Sequence, residues 1–147
     1  MDNNDILIEG SQATWRMPRM EGDLGGTYTG VFVFRTFLDP LRQIQAGKEY
    51  RALLGDLAIN AGDAESNLAF ALTQLKHRII KAPPFWESTL QDSGIAGNVG
   101  DLNIIAAVLD AAIRSENLFK EKIQKERDAI LERSIKVGEQ LLPKEEG

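Results

Sequence analysis

Cysteine is absent from the 147 residues, and that one absence excludes disulfides, thiolate metal sites and a cysteine nucleophile. Histidine occurs once, at His77, and the carboxylates around it show no ligand spacing, so no metal site is expected. There is no Walker-type phosphate loop and no G-x-S-x-G, and the glycines between 22 and 30 lack the G-x-G-x-x-G order. Long apolar runs are missing too. The longest, Ile104 to Ile113, is about half the length of a membrane span and is interrupted by Asp110. The first residues, MDNNDILIEG, are acidic where a secretory signal is basic, and they lack its apolar core. Together these absences predict a cytosolic protein with no membrane partner and no cofactor. The carboxylates fall in helix starts, i,i+4 pairs and the tail, and none forms a general acid/base pair by spacing, so the expectation is not an enzyme.

What is present describes an ordinary folded chain. Hydrophobic residues make up 43% and charged residues 27%, far from the polar profile of a disordered protein. The length suits one domain that buries roughly two-thirds of the surface of its unfolded chain. The net charge of -5 repels phosphate backbones, so nucleic acid is not an expected partner.

Residues 1–26 alternate short apolar pieces with breakers. Ile6, Leu7 and Ile8 can make a few residues of strand, ended by Gly10 and Ser11. Pro18 and the group Gly22, Gly25, Gly26 argue against any long element. The segment reads as an N-terminal arm carrying Trp15, Met17 and Met20, with two fates open: a cover over the domain, or an arm docked on a neighbouring subunit. From Thr27 to Leu38, TYTGVFVFRTFL reads as the best strand of the chain. Tyr28, Gly30, Phe32, Phe34 and Thr36 share one face, and Val31, Val33, Arg35 and Phe37 the other. Both faces are largely apolar, which predicts cover on both sides, and Gly30 marks a bulge or a close backbone approach. A lone strand leaves its backbone unpaired. A partner must come from residues 6–8 or 13–17, or from another chain, which is a first pointer to self-association.

Asp39-Pro40 starts a helix. Leu41, Ile44, Tyr50, Leu53, Leu54 and Leu57 give it an apolar side, Gly47 predicts a break or kink, and Gly55 a cap or second break. Residues 60–62 form a turn. Asp63 is the next N-cap candidate; Leu68, Leu72, Leu75 and Ile79, with Ala71 between them, form a core face, and Ile80 extends its edge. His77 reads as a surface or C-terminal capping histidine. Pro83-Pro84 ends the helix near Ala82. Phe85 and Trp86 follow, either closing the core beneath the next loop or presented by the stiff diproline to a partner. Residues 87–100 read as a long loop. Asp101 opens a last helix over about 101–136, buried in its first half and charged from Arg114 on. Its i,i+4 pairs are Glu116/Lys120, Glu121/Lys125 and Glu132/Lys136. Leu118, Phe119, Ile123, Ile130, Leu131 and Ile135 leave a narrow seam on this second half that can pack on a partner helix.

The order GVFVFRTFLDP, then YRALLG, then LAFALTQLKHRIIKAPPFW, then a D-x-N-I-I start to a charged helix, resembles the small tail-assembly chaperones and related minor structural proteins of tailed bacteriophages. The likeness covers roughly residues 27–136. It implies a non-enzymatic assembly protein that binds tape-measure and tail-tube proteins in the host cytoplasm. The long, well-patterned charged helix departs from that pattern and leaves room for a structural subunit retained in the virion, at the neck, tail or capsid surface. The expectation is therefore an α+β, mainly helical fold: one or two N-terminal strands, then three to four helices, the last long and partly projecting. Residues 1–26 would be an arm, 27–136 the domain and 137–147 a tail. The expected binding residues are Phe85, Trp86, Trp15, Phe119 and Ile123.

Overall fold

The computed structural model describes residues 5–55, 62–86 and 101–141. Strands β1 (Ile6–Glu9), β2 (Gln12–Glu21) and β3 (Thr27–Arg35) are followed by helices α1 (Pro40–Leu54) and α2 (Asp63–Arg78). A short strand β4 (Ile79–Lys81) and helix α3 (Leu102–Leu141) complete the order. The four strands form one antiparallel sheet in the order β1-β2-β3-β4. The fold is α+β and mainly helical, as the sequence predicts.

The expected arm is in fact half of the sheet. β1 and β2 join through Gly10-Ser11, with Glu9 opposite Gln12. Gly10 has φ 59°, the positive angle a type II′ hairpin needs at its first central position. Pro18, read as a breaker, sits where the β2–β3 register slips between Met17 and Met20. A bulge tolerates the missing N–H there, so the strand continues past it. The shortage of strands that pointed to another subunit is thus met within the chain.

The inner face of the sheet carries the core. Ala13, Trp15 and Met17 of β2 and Phe32 and Phe34 of β3 are buried against Ile104, Ile105, Val108, Ala111 and Ala112 of α3 and Leu75 of α2. Val31, on the opposite face, remains 49% exposed, so among the described residues the predicted cover on both sides is found on one side only. Within β3 the predicted split of residues between faces holds, whereas Phe37, past the end of the strand, stacks on Phe119 of α3.

Asp39 caps α1 as expected, its Oδ1 accepting from Arg42 N–H at 2.8 Å, with Pro40 in the first turn. The helix runs unbroken through Gly47 and ends at Gly55. Its expected apolar side is largely bare: Leu41 is 66%, Ile44 56% and Leu53 43% exposed, because α1 packs on α2 and leaves much of its own surface to solvent. Leu57, Asn60 and Ala61 lie outside the described residues. The N-cap of α2 is Gly62 and not Asp63, which falls inside the first turn. Ala69, Thr73 and His77 are buried on the side that meets α1, while Ala71 and Leu75 are buried on the side that meets the sheet and α3. Ile79 and Ile80 do not extend the helix: they turn into β4 and pair with β3. Pairing the open edge of β3 outweighs one more turn of a helix that Pro83 is about to stop. α3 reaches Leu141, so the expected tail boundary at 137 falls inside the helix. At about 1.5 Å per residue it is roughly 60 Å long. The expected loop 87–100 lies outside the described residues.

Candidate functional site

The diproline does present Phe85 and Trp86, but inward. Gly30 has φ 152°, and a Cβ placed there would collide with the Pro83 ring. The bare backbone of β3 lets the Pro83 ring sit against the sheet, and the chain then turns at 84–86, where Trp86 N–H donates to Pro83 O at 3.0 Å. Trp86 is fully buried, edge-on to Phe32 with centroids 5.6 Å apart. Phe85 is half-buried between Tyr28 (5.0 Å) and Phe32 (6.1 Å). Trp15 is 2% exposed, lies within 5.5 Å of Phe32 and 6.2 Å of Phe34, and donates from Nε1 to Asp5 Oδ2 at 2.8 Å. These three aromatics, expected as binding residues, make one core cluster. A partner reaches Trp15 or Trp86 only by unpacking it. The reason is the close approach at Gly30, made by a residue more than fifty positions earlier in the chain. Phe119 and Ile123 lie elsewhere, half-buried on α3, where Phe119 stacks on Phe37 at 5.6 Å.

Three polar clusters lock the helices onto this core. Asp101 is 2% exposed: its carboxylate accepts from Tyr28 Oη–H at 2.6 Å and Leu24 N–H at 2.7 Å, while its carbonyl accepts from Ile104 N–H. The hydrogen bond to Asp101 pushes the Tyr28 hydroxyl above its usual pKa. Gly22 faces the same carboxylate with no room for a Cβ. Asn103 adds a bond from Nδ2 to Glu21 O at 3.0 Å, so the start of α3 grips the β2–β3 turn. Arg114 meets Asp5 through two N–H···O bonds of 3.2 Å and Asp110 at 3.0 Å. The Arg114 hydrogen bonds hold the Asp5 carboxyl below the usual carboxylate range; burial opposes this and Trp15 adds to it. The same bonds push the Arg114 pKa up.

His77 completes the third cluster. It is 8% exposed beneath α1, not on the surface as expected, with Nε2 2.9 Å from Glu49 Oε2; Lys76 Nζ donates to Glu49 Oε1 at 3.1 Å. Burial raises the Glu49 pKa, but the bonds and charges of Lys76 and His77 outweigh it and leave it lowered. The cluster ties α1 to α2. Among the described residues no group of three or more His, Asp or Glu is placed to hold a metal ion, and no helix is long and apolar enough to cross a membrane.

Two surfaces remain open. The outer face of the sheet sets Leu7, Thr14, Val33 and Lys81 in one row across all four strands, with Arg16 beside Val31 in the next. A further row runs Glu9, Gln12, Arg35. Beyond it Arg35, Phe37, Asp39, Arg42 and Ile80 line a hollow of about 330 Å³ with Ser11 and Gln12. Leu7 is 57% exposed. The face is mixed: Leu7, Val31 and Val33 are set among Glu9, Gln12 and Thr14 and the cations Arg16, Arg35 and Lys81, on a chain whose net charge is -5. The second surface is the far half of α3, where every residue from Gln124 to Val137 is exposed. An apolar groove of about 450 Å³ also runs between α2 and α3, lined by Leu68, Ala71, Leu102, Ile105 and Leu109; His77 lines neither it nor the hollow. The sequence pattern located both open surfaces but misassigned the first as covered.

Comparison of the chain with protein-family models, with curated proteins and with solved structures finds no match. The architecture defines a class only: an α+β fold with helices on one face of its sheet and exposed apolar residues on the other face and on the far half of α3.

Proposed function

We propose that the chain is a non-enzymatic assembly protein of tailed bacteriophages, of the tail-assembly-chaperone kind, acting in the host cytoplasm. It binds tape-measure and tail-tube proteins through the outer face of its sheet. The observation that carries this reading is that face itself. Leu7 of β1 and Val31 of β3 stand exposed on it, among Arg16, Arg35 and Lys81. Exposed apolar residues set among charges are a means of docking a protein, and the cations favour a partner segment that is apolar and acidic. The resemblance in residues 27–136 supplies the partner class.

Co-expression with the tape-measure and tail-tube proteins of the same phage tests it. The wild-type chain co-purifies with at least one of them, and Leu7→Glu plus Val31→Glu abolishes this while the far-UV circular dichroism stays unchanged. Failure of the wild-type chain to bind either protein overturns the assembly assignment, and retained binding by the variant overturns the assigned face. A second reading, a subunit kept in the virion, is favoured by the 40-residue α3, a strut suited to a permanent contact. Mass spectrometry of purified particles separates the two: a chaperone is absent, a structural subunit is present in fixed copy number.

A further inference from the structure

The buried stripe of α3 does not stop where the sheet does. Ile105, Val108, Ala112 and Ser115 are buried, and Phe119 and Ile123 are half-buried. Steps of three and four along this stripe keep one helix face, and continuing them leads through 126, 130, 133 and 137. Ile130 and Val137 lie on that continuation, 60% and 52% exposed. The face that packs the core thus runs on into solvent, on a helix segment in which every residue from Gln124 to Val137 is exposed. A helical segment of that length gains little from propensity alone, and an apolar seam of β-branched residues at seven-residue spacing is the pattern of a helix that packs on another.

We propose that the occupant of this seam is the same seam of a second copy of the chain, running antiparallel and centred on Ile130. Charge decides both the occupant and its direction. Between the apolar positions Ile123, Ile130 and Val137 the seam carries Glu126 and Arg133. In a parallel pair, Glu126 faces Glu126 and Arg133 faces Arg133 across the seam, placing like charges in contact. In an antiparallel pair centred on Ile130, Ile130 meets Ile130, Ile123 meets Val137, and each Glu126 lies one residue, about 1.5 Å along the axis, from the level of Arg133 of the second copy, within side-chain reach. Charged positions within a seam set register and orientation in just this way. The flanking cations Lys122, Arg127 and Lys136 meet one another in either direction, so the choice falls on 126 and 133. The pairing leaves the outer sheet face of each copy free and does not depend on the assignment to phage assembly.

Sedimentation velocity on the intact chain tests the pairing. The wild type sediments as a concentration-dependent dimer, and Ile130→Asp as a monomer. Arg133→Glu alone, which sets Glu126 against a glutamate, weakens dimerisation at least tenfold, and Glu126→Arg combined with Arg133→Glu restores it. The chain has no cysteine of its own, so cross-linking reads the direction without background. Mixing Ile123→Cys with Val137→Cys under oxidation gives a disulfide between the two variants if the helices are antiparallel, and only like-with-like disulfides if they are parallel. A wild type that stays monomeric up to its solubility limit, a dimer indifferent to Ile130→Asp, or exclusively like-with-like cross-links each overturn the proposal.

Discussion

The two faces of one sheet differ in composition and in fate: Ala13, Trp15, Met17, Phe32 and Phe34 line one, and Thr14, Arg16, Val31, Val33 and Arg35 the other. On β3, Phe32 and Phe34 are fully buried, while Val31, next in the chain, is 49% exposed. Alternation assigns residues to faces but does not say which face the helices cover. That choice is made by residues distant in sequence. The Pro83 ring sits on Gly30, Asp101 binds Tyr28, and Arg114 binds Asp5, so every anchor draws the helices to the same side. The other side keeps its apolar residues and collects Arg16, Arg35 and Lys81. Among the described residues the sheet is thus covered on one face, and the other keeps Leu7 and Val31 exposed.

The contrast is broken most severely from the inner face. Phe32→Ala removes the ring that contacts Trp15, Phe34, Phe85 and Trp86, and is expected to cost about 3–5 kcal/mol of unfolding free energy in urea denaturation. Gly30→Ala comes next. It places a methyl group against Pro83 at a positive φ, and about 1–3 kcal/mol is the expected loss, with blue-shifted Trp86 fluorescence giving way to a more exposed spectrum. Asp5→Asn, at the anchor to Arg114 and Trp15, is expected to cost about 1–2 kcal/mol at neutral pH.

The pH dependence of that anchor has a definite sign. Asp5 is held below the ordinary carboxylate range in the folded chain, so its contribution is present above about pH 4 and is lost as the pH falls through the lowered folded value. Glu49 contributes in the same direction. Stability measured between neutral pH and the acid limit is therefore expected to fall more steeply in the wild type than in Asp5→Asn, with a residual slope that Glu49→Gln reduces further. Smallest of all is the outer face: Val31→Thr is expected to change stability by no more than about 0.5 kcal/mol while weakening partner binding. A loss comparable to that of Phe32→Ala would show that the outer face is covered after all.

Several elements were legible from local pattern because their causes are local. Asp39-Pro40 caps α1, the face alternation of β3 holds, and no proline interrupts α3 between its start and Leu141. The readings that changed all depended on distant partners. Residues 6–21 carry breakers that suggest an arm, yet β3 offers an edge, and a bulge at Pro18 accommodates the proline. His77 reads as a surface residue because the pattern of α2 alone cannot show that α1 covers its far side. Trp15 and Trp86 read as partner contacts because Gly30, which lets the diproline turn them inward, lies on another strand.

The sequence by itself determined the α+β class, the faces of β3, the start of α1 set by short-range capping, and a charged helix with a narrow apolar seam. Each follows from spacing and backbone chemistry within a few residues. Tertiary structure alone decided which sheet face became core, that the aromatic pair closes it, and that the opposite face stays open. Those outcomes rest on contacts between residues tens of positions apart, where the cost of an uncovered apolar face or an unpaired strand edge is settled by whatever element can reach it.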